Sequence, residues 1–306
     1  MPTFDIVSLG EPLWELSQVP GDEERFLFGF GGDTSNTAIA AARLGARVAY
    51  VTRIGTDAFG ERFLNLWRDE GVDASGVARD PDAPTGGYLI SHGPDGHQFS
   101  YLRAGSAASR TRPQDLPRDL LRNARHFYCS AISQAISANA CDTVFAAIEA
   151  ARAAGAKFCF DSNLRLKLWP LARARAVICA TIGQTDDFLP SLEDARVLSE
   201  LESPQAILDW ALAQGAARVA LKLGADGVLA TDGKERRHIV GQRVNAIDAT
   251  GAGDCFAGAF LARLAAGDAY WPALEYANAA AALATTAYGA VAALPRDEAV
   301  RALLAA

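Results

Sequence analysis

The segment Asp248-Ala249-Thr250-Gly251-Ala252-Gly253-Asp254 carries the residue types and spacing most able to do chemistry. Gly251 and Gly253 let successive backbone N–H groups converge. The apolar run Cys255 to Leu264 behind them reads as a helix, so the turn forms an anion-binding nest with a helix dipole at its back. That is a cradle for phosphate. Asp254 falls in the first helical turn beside the cradle, where a carboxylate takes the proton of a hydroxyl as that hydroxyl attacks phosphorus. Taken alone, Gly251-Ala252-Gly253-Asp254 also fits a glycine turn in which Asp254 is an ordinary capping acid. A second glycine-to-helix junction stands near the other end of the chain, Gly31-Gly32-Asp33-Thr34-Ser35-Asn36-Thr37-Ala38. Its Asp33 and Asn36 offer hydrogen-bonding groups to a polyol, and Asp33 also suits the helix N-cap.

The elements that must position these residues follow an alternation of short β-branched or apolar runs with Ala- and Leu-rich runs, the pattern of βαβ units around a mostly parallel sheet. Strands are expected at 5–9, 46–54, 126–129, 157–161, 187–189 and 218–223. Helices are expected at 34–44 and 58–70, stopped by Gly45 and Gly71, and near the end at 253–265 and 271–286. Two segments break the rhythm, Leu13 to Phe30 and Thr85 to Tyr101, where period-2 runs meet turn-rich residues such as His92-Gly93-Pro94-Asp95-Gly96. These read as antiparallel strands of a small sheet standing off the main body, a lid or a dimer contact or both.

The two glycine-to-helix junctions together resemble the signatures of the PfkB or ribokinase family of carbohydrate kinases. Gly31-Gly32 with Asn36, running on through Ala41-Ala42-Arg43-Leu44-Gly45, is similar to the N-terminal signature, and Asp248 to Asp254 to the C-terminal one. The resemblance covers essentially the whole chain. It implies an α/β ribokinase-like fold over 1–306, with a central mostly parallel sheet flanked by helices. A small β-sheet lid would be built from about 11–32 and 84–103. It further implies ATP-dependent phosphorylation, with Asp254 as base, Gly251, Ala252 and Gly253 as the hole for developing charge, and Mg²⁺ carried largely by phosphates and water. A monovalent cation is left open.

Gly10-Glu11-Pro12-Leu13, Tyr101 to Ala107 and Asp161 to Trp169 resemble 2-keto-3-deoxygluconate kinases in particular. By that resemblance Gly32, Asp33, Asn36, Tyr88, Tyr101 and Arg103 would contact the sugar acid, and Arg165 would reach its carboxylate or the phosphates. Arginine suits the task because it binds carboxylates in bidentate fashion. On the nucleotide side the resemblance implies Lys222, Gly224, Gly227, Asn163 and Asn278. Three departures are visible: Ala249 in place of Thr or Pro, Leu102 in place of a second lid tyrosine, and Ala290 after Gly289 where some of these kinases carry an acid. Two rival readings keep the same scaffold. One is a kinase of a neutral sugar or nucleoside, which needs no arginine pair; the other is a non-catalytic sugar or nucleotide sensor, which needs no base.

Composition sets the outer bounds. The 306 residues are 50% hydrophobic and 21% charged, as in ordinary globular proteins, and the net charge of -7 repels nucleic acid and anionic membrane. An anionic substrate must therefore be met by local basic groups. The five cysteines, Cys129, Cys141, Cys159, Cys179 and Cys255, are scattered without a C-x-x-C pair, and the four histidines lack ligand spacing, so no metal site is assigned. Buried thiols and a start that reads as a strand make the cytoplasm the expected compartment. The uncharged stretch from Tyr276 to Pro295 has spanning length but is mostly Ala, Thr, Asn and Gly, so it is expected to be a buried helix. The expected partners are a small sugar or sugar acid and a second copy of the chain through the lid, with neither nucleic acid nor membrane.

Overall fold

Apolar strand runs bounded by Ala-rich helices condense here into two sheets, seen in a computed structural model that describes residues 2–19, 21–93 and 96–305. The strands are β1 (Phe4–Leu9), β2 (Leu13–Val19), β3 (Asp22–Gly31), β4 (Val48–Gly55), β5 (Val72–Asp80), β6 (Gly87–Gly93) and β7 (Gly96–Leu102). They continue with β8 (Ala124–Ser130), β9 (Lys157–Asp161), β10 (Asp187–Phe188), β11 (Arg218–Lys222), β12 (Val228–Thr231) and β13 (Arg236–Ile239). The helices are α1 (Asp33–Arg43), α2 (Ala58–Asp69), α3 (Arg118–Arg122), α4 (Ala131–Ala135), α5 (Ala138–Ala153) and α6 (Leu171–Ile182). After them come α7 (Leu192–Ser199), α8 (Pro204–Ala213), α9 (Ala252–Ala265), α10 (Tyr270–Ala284) and α11 (Asp297–Ala305).

The main sheet has the order β13-β12-β11-β10-β9-β8-β1-β4-β5. From β5 to β11 every pairing is parallel, and β12 and β13 add an antiparallel edge. Strand order reverses between β1 and β8. In such sheets the crevice beyond the carboxyl ends at the reversal is where ligands bind. Alternation along the strands feeds two cores: Ile6 and Tyr128 face the layer of α1, α2 and α9–α11, and Val7 and Phe127 face that of α3–α8. Burial on both faces is the requirement of a parallel sheet. The uncharged stretch after Tyr276 is not one helix: α10 ends at Ala284 and the chain then turns through an irregular segment to Leu294. No helix among the described residues is long and apolar enough to cross a membrane.

The smaller sheet has the order β3-β2-β6-β7. Each hairpin is antiparallel as expected, but the seam between β2 and β6 is parallel. The reason is connectivity, since β2 and β6 run in the same direction and are joined through β3, α1, β4, α2 and β5. Nor does this sheet stand free. Trp14 stacks on Phe59 of α2 with ring centroids 4.6 Å apart, and Phe30 meets Phe63 edge-on at 5.1 Å. The indole of Trp14 lies over Gly87, where a Cβ would come within 2.0 Å of the ring. The opposite face presents the row Gly29, Glu15, Tyr88, Tyr101 toward the crevice.

Candidate active site

Both glycine junctions open onto one cleft of about 620 Å³. Its walls come from the loop after β1, the start of α1, the cleft face of the smaller sheet, the ends of β9 and β11, and the turn into α9. Gly32, Asp33, Asn36, Tyr88, Tyr101, Arg103, Asn163, Arg165, Lys222, Gly224, Gly227, Gly251, Ala252, Gly253, Asp254 and Asn278 all line it. Every substrate-side, nucleotide-side and turn residue that the resemblance implies is therefore brought to the same place.

The N-terminal junction works through backbone shape. Gly32 has φ +99°, and a Cβ there would sit 2.4 Å from the Glu11 carbonyl oxygen. Gly32 itself occupies the N-cap of α1 and Asp33 is the first helical residue, so Asp33 is not the cap that its sequence position suggests. Gly251, with φ +77°, plays the same part for α9. The first-turn N–H groups of α9 have no intrahelical acceptor, Ala252 donating instead to the Ala249 carbonyl at 3.2 Å, and Gly251, Ala252 and Gly253 all line the cleft.

Asn36 joins the two junctions, its Nδ2 donating to Asp254 Oδ2 at 2.8 Å, while Thr37 Oγ1 donates to the Asp254 carbonyl at 3.2 Å. The Oδ1 of Asn36 is buried without a protein partner among the described residues, an acceptor left over for a ligand hydroxyl. Burial pushes the Asp254 carboxyl well above its usual range; Asp33 and Asp161 push the same way, and the Asn36 bond and Lys222 pull it back. The Asp33 carboxyl is raised as well, chiefly by burial, against hydrogen bonds from Ser130 and the Thr34 N–H.

Lys222, Arg103 and Asn163 are already engaged. Lys222 Nζ reaches Asp161 Oδ2 at 2.5 Å, Asn163 Nδ2 donates to Asp33 Oδ2 at 2.8 Å, and Arg103 donates through Nη2 to Glu11 Oε2. Glu11 also accepts from Ser106 Oγ at 2.6 Å and is 1% exposed. Its carboxyl is raised by burial and drawn back by Arg103. Tyr88 donates its hydroxyl to Glu15 Oε2 at 2.5 Å. Asn278 donates to the Val240 carbonyl at 2.8 Å, fixing the loop after β13, and Gly227 lets that loop approach, a Cβ there falling 2.1 Å from the Ile239 oxygen. Arg165, in contrast, is exposed, one nitrogen bonded to the Leu164 carbonyl at 2.9 Å.

Glu11, Asp161 and Asp194 carry weight that the sequence did not assign. Asp194 accepts from Ser162 Oγ and from the Leu164 N–H, both at 3.0 Å, so it fixes the Asn163–Arg165 turn. Asp161 ends β9 and Glu11 follows β1, and a carboxylate at the carboxyl end of a parallel strand near a strand-order reversal is the signal that marks such residues.

Among the described residues no three His, Cys, Asp or Glu side chains gather as a metal-ligand set. The acidic cleft residues Glu193 and Asp194 are hard oxygen groups suited to the water shell of a phosphate-borne Mg²⁺.

Comparison with known proteins agrees with this geometry. The pfkB family carbohydrate kinase model matches residues 4–297. The 2-dehydro-3-deoxygluconokinase of Bacillus subtilis (strain 168) is 34% identical over 314 residues, covering 99% of this chain and 96% of the relative. Fructokinase-2 of Solanum lycopersicum is 31% identical, covering 95% and 93%. Among solved structures, the fructokinase of Vibrio cholerae O395 in its fructose-, ADP- and calcium-bound form superposes with a TM-score of 0.90 at 29% identity, covering 98% of each chain. With both signature turns meeting in one cleft and the family model spanning nearly its full length, the chain belongs to the pfkB family of carbohydrate kinases.

Proposed function

We propose that this kinase phosphorylates 2-keto-3-deoxygluconate, or a closely related sugar acid, at its primary 6-hydroxyl with ATP as donor. The observation that carries the reading is Arg103 and Arg165 lining the same cleft as Asp254, two guanidinium groups where a neutral sugar needs none. The 2-dehydro-3-deoxygluconokinases of Bacillus subtilis (strain 168) and Thermoproteus tenax, each 34% identical, support it. Arg103 has its Nη2 on Glu11, which leaves its Nη1, together with the exposed Arg165, to address the substrate carboxylate.

In the reaction Asp254 accepts the proton of the 6-hydroxyl. The hydroxyl oxygen forms a bond to the γ-phosphorus as the bond to the β-phosphate oxygen breaks, giving the 6-phosphate and ADP. Asn36 holds one oxygen of Asp254, which leaves the other free to face the hydroxyl. The N–H groups of Gly251, Ala252 and Gly253 stabilise charge on the transferred group. Mg²⁺, when bound, neutralises phosphate charge. Lys222, Gly224, Gly227, Asn163 and Asn278 form the nucleotide side, a reading supported by the ATP-bound fructokinase of Xylella fastidiosa, 26% identical with a TM-score of 0.87.

The test is ADP release with 2-keto-3-deoxygluconate, its C4 epimer, gluconate, fructose, ribose and adenosine, with and without K⁺, beside Arg165→Met. Keto acids should lead the panel, and Arg165→Met should raise their KM about tenfold or more. Faster turnover of fructose, favoured by the fructokinase relatives, would keep the kinase and remove the arginine assignment. The chain is further proposed to pair with a second copy through the smaller sheet. One row across its cleft-side face runs Leu27, Ser17, Ile90, Phe99, and Leu27 and Phe99 are 57% and 46% exposed.

A further inference from the structure

Arg43, the last residue of α1, does not line the cleft, yet its charge is enclosed and every edge of it is used. Nε and Nη2 donate to the two oxygens of Glu70 at 2.8 and 2.7 Å, and Nη1 donates to the carbonyls of Val291 and Leu294 at 3.0 and 2.6 Å. The two side chains are 12% and 14% exposed. A planar guanidinium that fixes a carboxylate on one edge and two main-chain carbonyls on another is a rigid rivet, which lysine cannot imitate.

What it rivets is the irregular segment 285–294, which has no strand ladder and no long helix of its own. That segment supports the phosphate turn at three points. The Thr285 carbonyl accepts from the N–H groups of Ile247 and Asp248 at 2.7 and 3.1 Å. The Gly289 N–H donates to Asp248 Oδ2 at 3.1 Å, while Asp248 Oδ1 holds the Thr250 N–H at 2.9 Å. Ala290 backs Gly251 so closely that a Cβ on Gly251 would fall 3.0 Å from the Ala290 oxygen. The support is thus tied to the turn at one end and to Arg43 at the other.

We propose that Arg43 is a positioning residue for phosphoryl transfer, holding segment 285–294 so that the Gly251–Gly253 donors keep their aim at the transferred phosphoryl group. This rests on the reading of that turn as the anion hole. Donors that drift by a fraction of an ångström lose stabilisation of the transition state more than of the bound substrate, so the effect falls on kcat.

The experiment compares Arg43→Met, Arg43→Lys, Glu70→Gln and Arg263→Met in the full chain, recording kcat, both KM values and Tm. Arg263, ion-paired to Asp268 at 2.7 Å in the same helical layer, serves as a purely structural control. The expected result is a fall in kcat of about tenfold to a hundredfold in Arg43→Met with the sugar KM nearly unchanged. Arg43→Lys should lie close to it, Glu70→Gln should fall less, and Arg263→Met should lose Tm alone. Ethylguanidinium added to Arg43→Ala should restore kcat. Wild-type kcat in Arg43→Lys, or a Tm loss in Arg43→Met without a kcat loss, overturns the proposal. So does a rise in KM alone. If Arg43→Met does not fold, Arg43→Lys and the ethylguanidinium arm decide. Asp254→Asn, run alongside, separates the two failures: full turnover there removes the reading of this cleft as the phosphoryl-transfer site, whereas turnover lost there but kept in Arg43→Lys removes only the role of Arg43.

Discussion

Burying a carboxylate such as Asp254, the proposed base, costs the folded state free energy. Asp254 has its proton affinity raised, first by burial and then by Asp33. Between its unfolded pKa and the higher folded one, the native chain binds more protons than the unfolded chain, so its contribution to stability falls as pH rises through that window. Asp254→Asn should accordingly raise Tm at neutral pH while lowering kcat by about 10²- to 10⁴-fold. Calorimetry and ADP release on the same preparation check both halves, and a lower Tm would contradict the electrostatics. The wild-type kcat/KM should fall as pH drops through a limb lying above the ordinary carboxylate range. At this scale the sequence was legible where residues are local: Gly251 to Asp254 and Gly32 to Asn36 are each one turn of chain. It was silent on what Glu11, Asp161 and Arg43 hold, since their partners Arg103, Lys222 and Leu294 lie 92, 61 and 251 residues away. No periodicity carries such pairings.

The two signature helices are pressed together, since a Cβ on Gly258 of α9 would come within 2.6 Å of the Thr37 oxygen and 2.7 Å of the Ala40 Cβ of α1. Because α1 carries Asn36 and α9 carries Asp254, this contact sets the 2.8 Å bond that orients the proposed base. Gly258→Val should cost about 1–3 kcal/mol by overpacking and lower kcat as the helices part. A denaturant midpoint and a kcat measured together test it, and loss of stability at full kcat would show that the helices repack without disturbing the base. Helices bounded by Gly45 and Gly71 were readable because a glycine stop is a local signal. Strand β5 was not: Asp73, Ser75, Gly76 and Arg79 dilute its alternation, and only the edge position beside β4 makes it a strand. The parallel seam of β2 with β6 was hidden likewise, since strand direction is settled by the path of the chain between the two hairpins.

For the molecule as a whole, pairing through the smaller sheet predicts a sedimentation mass of two chains at micromolar concentration, and a mass of one chain would remove that proposal. Phe99→Asp should shift such a dimer to monomer by placing a charge within the apolar row. The smaller sheet also has a mechanical property. Its root is tied where Glu11, just before β2, grips Arg103, just after β7. A plate tied at its root has a lever arm that lengthens away from it, so a tilt would displace Arg103 least and the parts of β6 and β7 furthest from it most. A sugar acid bound as proposed, with its carboxylate beside Arg103, would sit nearest the tied root, where a tilt of the sheet moves its contacts least.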